Sequence, residues 1–168
     1  VLIGYYVNKN QTDKKLSEAG RSADQIISDA KQQAETKKKE ILFDAKEESI
    51  QYKEELESLK LEIEDAKAEF DSFIANHPLQ SNKIRNGIVE SLYEKIDVMK
   101  EAYRNYEEAL KAFEDADMLN SENVKALELA SKNYTLARLD LENANNNLKV
   151  YLENVENDVE IKEKESVN

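Results

Sequence analysis

The first half of the chain carries small or apolar residues that recur every eleven residues. Eleven residues make about three helical turns, so such residues stay on one side of a single long helix. Because most of the early positions are alanine, a partner helix can approach closely, although each contact buries little apolar area. We predict that these positions form a self-association stripe. Its members are Ala19, Ala23, Ala30, Ala34, Ile41, Ala45, Tyr52 and Leu56.

Neither proline nor a cluster of turn residues interrupts the segment from about Thr12 to Ala75. The pattern therefore predicts one unbroken, coiled-coil-forming helix over residues 12–75. The single proline, Pro78, lacks a backbone N–H and disfavours helical geometry in the residue before it, so this helix should end near Ala75. A second unit, residues 76–168, follows the break.

Beyond the break the apolar residues recur every seven residues. Two such segments, about 81–117 and 121–160, are separated by short polar side chains, with Asn120 or Ser121 as the expected helix N-cap. A short link between two heptad helices predicts an antiparallel hairpin. Residues after about 158 are expected to form a frayed acidic tail. The predicted hairpin seam consists of Leu92, Ile96, Met99, Tyr103, Tyr106, Leu110, Phe113, Leu127, Tyr134, Leu141 and Leu148.

The second hairpin segment also carries Leu129, Leu136 and Val150 on an adjoining side, which is more apolar surface than one partner requires. Either the end of the first helix folds back as the third helix of a bundle, or a second chain docks there. Together these patterns predict an all-α fold. We expect a long N-terminal coiled-coil helix followed by an antiparallel helical hairpin, forming an elongated helical bundle.

The charge of the chain is negative and unevenly placed. The net charge is -12, and residues 61–168 hold 13 basic against 24 acidic residues, a net of -11. An acidic second half repels phosphate backbones, so we expect no nucleic-acid partner for this chain. Adjacent acids such as Glu47 and Glu48 are expected to lie on a solvated helix face.

Candidate catalytic and metal-binding residues are scarce. The chain has one histidine, His77, no cysteine and three glycines that lie far apart. Metal sites need several ligands at suitable spacing and phosphate loops need clustered glycines, so we interpret His77 as a turn residue. The tyrosines of the seam are expected to pack with their hydroxyls at the bundle edge. We predict no catalytic residues, no cofactor and no metal site in this chain.

Residues 1–11 have the composition of a membrane boundary. Val1 to Val7 are largely apolar or aromatic and precede Lys9, Lys14 and Lys15, which is the order typical of the cytoplasmic edge of a transmembrane helix. Such a helix needs about 20 apolar residues, so we expect the reading frame to continue upstream with further apolar residues. The predicted location is the cytoplasmic face of a bacterial cell membrane, with a truncated single-pass anchor.

Three runs in the first third of the chain carry a family resemblance. They are Gly4-Tyr5-Tyr6-Val7, Ala23-Asp24-Gln25-Ile26-Ile27-Ser28-Asp29-Ala30-Lys31 and Ala34-Glu35-Thr36-Lys37-Lys38-Lys39-Glu40-Ile41-Leu42-Phe43-Asp44-Ala45-Lys46-Glu47-Glu48. Through them, about residues 1–57 resemble the N-terminal region of bacterial RNase Y. The resemblance implies a single transmembrane anchor followed by a long, dimerising cytoplasmic coil. It also implies that the KH and HD domains of that family lie outside this chain.

These observations leave several functions open. The main hypothesis is a non-catalytic, membrane-proximal tether or scaffold that self-associates, as a homodimer or a hetero-coiled coil, and presents an acidic hairpin to a protein partner. A second is the anchoring fragment of an RNase Y-like endoribonuclease. The alanine-lined, eleven-residue pattern is also similar to the peripheral-stalk b subunit of ATP synthases, so a rotary-ATPase stalk is a third. A helical regulator of RNase Y is a fourth.

Overall fold

A computed structural model describes the backbone of residues 2–76 and 82–166, and the side chains of residues 9–73, 75–76 and 87–154. These described residues form three α-helices and no strand. The helices are α1 (Leu2–Asn76), α2 (Asn82–Asp115) and α3 (Ser121–Ser166). The prediction of an all-α fold, with a long first helix followed by a helical hairpin, is confirmed.

The first and third helices are longer than the sequence pattern predicted. α1 has 75 residues and is about 110 Å long. It begins at Leu2 rather than near Thr12, because no helix breaker separates the apolar N-terminal residues from the rest. α3 continues to Ser166, past the expected end near residue 160, since lysine and glutamate are good helix formers. The segment expected to fray is therefore helical up to Ser166.

α2 and α3 are joined by residues 116–120 and run antiparallel. Asn120 caps α3, because its Oδ1 accepts a hydrogen bond from the backbone N–H of Glu122 at 2.8 Å. The Asn120 carbonyl accepts the first helical bond, from the Val124 N–H at 3.1 Å. Across the turn, Asn123 Nδ2 donates to the Ala112 carbonyl at 3.4 Å. The hairpin turn is thus held by polar contacts at the start of α3.

α1 itself supplies the third helix of the bundle. It runs antiparallel to α2 and parallel to α3, since Lys38 reaches the hairpin turn whereas Phe70 lies beside Tyr151 near the far end of α3. The ring centroids of Phe70 and Tyr151 are 6.0 Å apart. Only the C-terminal half of α1 is covered in this way, so the N-terminal half projects beyond the hairpin.

The covered half of α1 contributes one face to the core. From Tyr52 onward its buried residues alternate at spacings of four and three, as in the hairpin, whereas the predicted stripe had an eleven-residue spacing. A helix packed at a shallow angle in a bundle keeps such residues turned toward its neighbours. Leu59, Ala66 and Phe70 therefore join the core although the predicted stripe omits them. The buried set is Ala45, Tyr52, Leu56, Leu59, Ile63, Ala66 and Phe70.

One polar side chain is enclosed in this core. Asn145 of α3 is 2% exposed, and its Oδ1 has no hydrogen-bond partner among the described residues. A carbonyl oxygen that is buried without a donor gives up its hydrogen bonds to water and forms none in the protein. This lowers the free energy of unfolding by about 1–3 kcal/mol. Asn145 is thus a candidate for a stabilising replacement in a bundle that is otherwise closed by apolar side chains.

We predict that Asn145→Leu stabilises the protein. Leucine has a similar volume and carries no polar atom, so the free energy of unfolding should rise by about 1–3 kcal/mol. Urea unfolding followed by circular dichroism measures this change. The control is Asn146→Leu, which adds a leucine at the neighbouring exposed position and should leave stability within about 0.5 kcal/mol. A loss of stability in Asn145→Leu would contradict the assignment.

Candidate interaction surfaces

The N-terminal half of α1 is a single helix whose described side chains are exposed from Lys9 to Gln33. Leu16, Ile26 and Ile27 are among them, with exposed fractions of 65%, 65% and 53%. Leu16 and Ile27 lie on the same side of the helix as the alanine positions of the predicted stripe. Three members of the stripe, Ala19, Ala23 and Ala30, are exposed. A fourth, Ala34, is half-buried beside the hairpin turn.

The remaining stripe residues lie against the hairpin of the same chain. Ile41 is half-buried, and Ala45, Tyr52 and Leu56 are buried. The predicted stripe is therefore divided near Lys38 into an exposed part and a part covered by α2 and α3. The structure does not bring all eight residues together on one free surface.

The predicted seam residues lie on the packed faces of α2 and α3. Tyr103 is half-buried. The other members are buried: Leu92, Ile96, Met99, Tyr106, Leu110, Phe113, Leu127, Tyr134, Leu141 and Leu148. Tyr106 and Tyr134 are 0% exposed, so their hydroxyls lie inside the bundle and not at its edge.

A hydrogen-bonded cluster around Glu48 joins α1 to both helices of the hairpin. The Glu48 carboxylate accepts bonds from the hydroxyls of Tyr52 at 2.5 Å, Tyr106 at 2.7 Å and Ser131 at 2.9 Å. Tyr106 also donates to the backbone carbonyl of Ala45 at 3.0 Å. The sequence suggested that Glu48 lies on a solvated face. It is instead half-buried, because the hairpin packs beside it and supplies hydrogen-bond donors to its carboxylate.

The aromatic rings of this cluster pack on one another. Tyr52 stacks on Tyr134 with ring centroids 3.8 Å apart, and it meets Tyr106 edge-on at 5.0 Å. Tyr134 donates its hydroxyl proton to the Tyr52 carbonyl at 2.6 Å. The contact of α1 with the hairpin thus combines ring packing with directional bonds, which favours one register.

The phenols of the cluster have raised pKa values. Burial raises the pKa of Tyr106 well above its ordinary 10.0, and the hydrogen bond to Glu48 raises it further. Burial also raises the pKa of Tyr134, with a smaller effect from Glu55. For Tyr52 the causes are again burial and then the bond to Glu48. All three phenols therefore keep their protons, and remain hydrogen-bond donors, to a higher pH than an exposed tyrosine does.

The hairpin turn is attached to α1 by a lysine. Lys38 Nζ donates to the carbonyl of Glu114 at 3.1 Å and to the carbonyl of Ala116, both at the C-terminal end of α2. A cation at this end complements the helix dipole and satisfies carbonyls that have no helical partner. Lys46 adds an ion pair with Glu114 at 2.6 Å, half exposed to solvent. Lys38 thus marks the point where α1 leaves the bundle.

The outward face of α2 is strongly acidic. Five exposed carboxylates follow one another at spacings of three, four and seven: Glu90, Glu94, Asp97, Glu101 and Glu108. Three of them are compensated within the same helix. Lys100 lies 3.0 Å from Asp97, and Arg104 lies 2.6 Å from Glu101 and 3.8 Å from Glu108. This face would attract a basic protein surface and repel phosphate.

An open groove of about 420 Å³ lies beside the Glu48 cluster. Its lining includes the carboxylates of Asp44, Glu47, Glu48 and Glu128. No group of three or more His, Cys, Asp or Glu side chains is arranged to hold a metal ion in the part of the chain described. His77 and the side chains of residues 1–8 lie outside the described residues. Within the described segments no helix is both long and apolar enough to cross a membrane.

Sequence periodicity missed the polar contacts of this surface. Glu48, Ser131 and Lys38 belong to no apolar ladder, so nothing in the spacing separated them from the many solvated polar residues. The only signal was position: Glu48 lies four residues before Tyr52, and Ser131 follows Ala130 on the buried side of α3. Those spacings indicate a contact between Glu48 and Ser131 only once the hairpin is known to pack against Tyr52.

The arrangement defines the class of protein. It is an all-α rod in which one long helix carries a docked antiparallel hairpin along its C-terminal half and extends alone along its N-terminal half. Its described surfaces are suited to contacts between helices.

The chain belongs to the family described as the RNase Y N-terminal region, whose model matches residues 1–161. This match extends well past residue 57, where the resemblance noted from the sequence ended. Both helices of the hairpin are therefore part of the family region.

Three relatives illustrate the similarity, and each match covers about a third of the chain or less. Ribonuclease Y of Listeria welshimeri is 47% identical over 49 residues, which is 29% of this chain and 9% of that protein. Ribonuclease Y of Bacillus licheniformis is 48% identical over 48 residues, with the same shares. Ribonuclease Y 1 of Levilactobacillus brevis is 41% identical over 58 residues, 34% of this chain and 11% of that protein. No solved structure matches the chain.

We predict that Tyr106→Phe weakens the docking of α1. The change removes the donor to Glu48 and to the Ala45 carbonyl while keeping the ring, so the free energy of unfolding should fall by about 1–3 kcal/mol at neutral pH. The unfolded phenol ionises near pH 10.0 whereas the folded one remains protonated. Wild-type stability should therefore fall as the pH rises above 10.0, and the variant should lose less over that range.

Denaturant unfolding at pH 7 and above pH 10 measures both effects. The control is Tyr93→Phe, because Tyr93 is 41% exposed and lies under the Lys67 ammonium, a contact that phenylalanine retains. An equal loss in both variants, or a steeper alkaline loss in Tyr106→Phe, would contradict the role assigned to the Tyr106 hydroxyl.

Proposed function

We propose that this chain is the non-catalytic, membrane-proximal anchoring fragment of an RNase Y-type ribonuclease, acting as a tether and scaffold. The family match over residues 1–161 supports this proposal, as do the names of the curated relatives. The matched stretches cover only about a tenth of those relatives, at 9% and 11% of their length. The ribonuclease activity would then belong to domains outside this chain. The match includes the hairpin, which favours this proposal over a peripheral stalk of a rotary ATPase.

The main support for a scaffold role is that the N-terminal half of α1 is not covered by the hairpin. A single helix with exposed Leu16 and Ile27 and a row of alanines gains stability mainly by packing its apolar face on another helix. Alanine at these positions allows a second helix to approach closely. We therefore place self-association at Ala19, Ala23, Ala30 and Ala34, and not along the part of the stripe that the hairpin covers. A second copy of this chain is the proposed partner.

The tether role rests on the N-terminal composition. Val1 to Val7 followed by Lys9, Lys14 and Lys15 has the order of a transmembrane helix end and its cytoplasmic flank. α1 would then extend away from the membrane and hold the hairpin at a distance set by its length. The acidity of the second half would keep the hairpin off an anionic leaflet.

The hairpin is the proposed contact for a different protein. The carboxylates along the outward face of α2 would bind a partner with a basic helical or strand surface, and the same charges disfavour nucleic acid. This role does not depend on self-association, since it uses the opposite end of the rod.

We predict that replacing Ala19, Ala23 and Ala30 together with glutamine abolishes self-association at low micromolar concentration. Bulk at these sites forces the helices apart, at about 1–3 kcal/mol per site. Analytical ultracentrifugation should show the variant as monomer under conditions where the unmodified chain is dimeric. Glutamine is a good helix former, so the circular dichroism of the variant should remain helical.

The matched control replaces Ala68, Ala75 and Ala112 with glutamine. These alanines are exposed in the covered half of α1 and on α2, so the control should dimerise as the unmodified chain does. If the stripe variant and the unmodified chain sediment equally, the stripe is not part of the interface.

We predict that the native protein resists extraction by a carbonate wash. If the natural reading frame continues upstream with a further stretch of apolar residues, the whole anchor reaches the length of about 20 that a span needs. Fractionation of cells, followed by the wash and detection of the native protein, tests this. Recovery in the soluble fraction, or a polar upstream sequence, would defeat the membrane assignment without affecting the self-association proposal.

A further inference from the structure

The contact between α1 and α3 differs in quality along its length. Close to the hairpin turn it is closed by short hydrogen bonds, from the Ser131 hydroxyl to Glu48 at 2.9 Å and from the Tyr134 hydroxyl to the Tyr52 carbonyl at 2.6 Å. Lys38 adds a bond to the end of α2 at the same end of the bundle. We name the part of the bundle up to Tyr52 of α1 and Tyr134 of α3 the near half, and the part beyond it the far half.

In the far half the described polar contacts between α1 and α3 are longer. Arg138 Nε lies 3.5 Å from Glu55 Oε2, and Lys149 Nζ lies 3.7 Å from Glu62 Oε2. The side chains of Lys149 and Glu62 are 50% and 52% exposed, so water screens the attraction between them. The far half is therefore held mainly by apolar packing.

Two enclosed oxygen atoms of the far half have no hydrogen-bond donor among the described residues. One is Glu55 Oε2, whose distance to Arg138 is too long for a good hydrogen bond. The other is Asn145 Oδ1, in a side chain that is 2% exposed. Asn145 follows Arg138 by seven residues, so it lies on the side of α3 that faces α1. Both oxygen atoms therefore belong to the interface between α1 and α3.

Unpaired oxygens make it easier to open the interface around them. When two helices separate locally, water enters and supplies the missing hydrogen bonds, so the open state regains what the closed state lacks. Proteins open in this way in their least stable parts while the rest stays folded. The near half would instead lose the bonds that Tyr106 and Ser131 donate to Glu48.

We propose that the bundle opens at its far half, where the end of α1 lifts off the hairpin while the near half stays packed. The near half is the hinge, so the hairpin changes its angle to α1 without losing its register. Opening uncovers Ile63 and Phe70, each 1% exposed in the closed bundle. The closed state predominates, because these apolar side chains gain from burial. The movement takes place within one chain and is independent of self-association.

Thiol labelling of two matched cysteine variants tests this opening, because the chain has no cysteine of its own. Ala45 of the near half is 5% exposed and Ala66 of the far half is 6% exposed, and both lie on α1. Each is replaced with cysteine in the full chain, and an aromatic disulfide reagent reports when the thiol becomes accessible. Ala66→Cys should be labelled about tenfold faster than Ala45→Cys. Equal rates would overturn the proposal, since a single cooperative opening would then expose both sites.

A change at Asn145 tests the physical cause. Asn145→Leu should slow the labelling of Ala66→Cys about tenfold, since leucine leaves no hydrogen bond unmade when it is buried. Asn146→Leu, at the neighbouring exposed position, should leave that rate unchanged. The same labelling rate with and without Asn145→Leu would overturn the proposal.

Tyr106→Phe separates local from global opening. It removes the bond from Tyr106 to Glu48 in the near half, so the labelling of Ala45→Cys should rise about tenfold. The labelling of Ala66→Cys should stay the same, because its opening leaves that bond intact. An equal rise at both sites would mean that the whole bundle opens at once, and the proposal would fail.

Hydrogen exchange of the unmodified chain is a second measurement that needs no cysteine. A helix that has lost its packing partner is only marginally stable in water, so its amides exchange. Residues 59–70 and 141–152 of the far half should exchange about tenfold faster than residues 41–52 and 127–134 of the near half. All four segments lie inside their helices, so fraying of helix ends does not produce the difference. Equal protection of the two sets would overturn the proposal even if a cysteine variant failed to fold.

Discussion

The packing of α1 on the hairpin is the contact on which the rest of the structure depends. A hairpin of two amphipathic helices buries the seam between them and leaves the neighbouring faces exposed to solvent. Tyr106 and Tyr134 reach 0% exposure because Tyr52 of α1 packs against both rings. The same contact determines which part of α1 is covered and which part extends alone. The packing of α1 on the hairpin therefore both completes the core and leaves the N-terminal half of α1 as a free helix.

The composition of α1 changes where the hairpin begins to cover it. In the covered half, bulky residues such as Tyr52, Ile63 and Phe70 fill the space between three helices. In the free half, alanine takes the corresponding positions, and alanine suits the closer approach of two helix backbones. One continuous helix can thus serve two packing geometries, a three-helix core and a helix-pair contact, with Lys38 at the boundary.

Polar contacts give the docking its specificity. Apolar side chains at heptad spacing would allow α1 to slide by one repeat along the hairpin at modest cost. The three hydroxyls that converge on Glu48, and the Lys38 ammonium at the end of α2, form in one register only. A shift by a repeat would leave the Glu48 carboxylate half-buried without donors, which is costly. For the proposed tether, a single register would mean a defined length.

The sequence alone determined the helical class, the break before α2, the hairpin turn near Asn120 and the apolar residues of the seam. These follow from periodicity and from the local chemistry of proline and N-caps, which act over a few residues. It also carried the resemblance to RNase Y in its first third. Only the tertiary structure decided that the stripe divides near Lys38, that Leu59, Ala66 and Phe70 join the core, and that the half-buried Glu48 accepts bonds from three hydroxyls. Periodicity indicates which face of a helix is apolar but not which of several apolar faces it meets. Contacts such as Glu48 with Ser131 join residues 83 positions apart, and they exist only after the hairpin has folded back on α1.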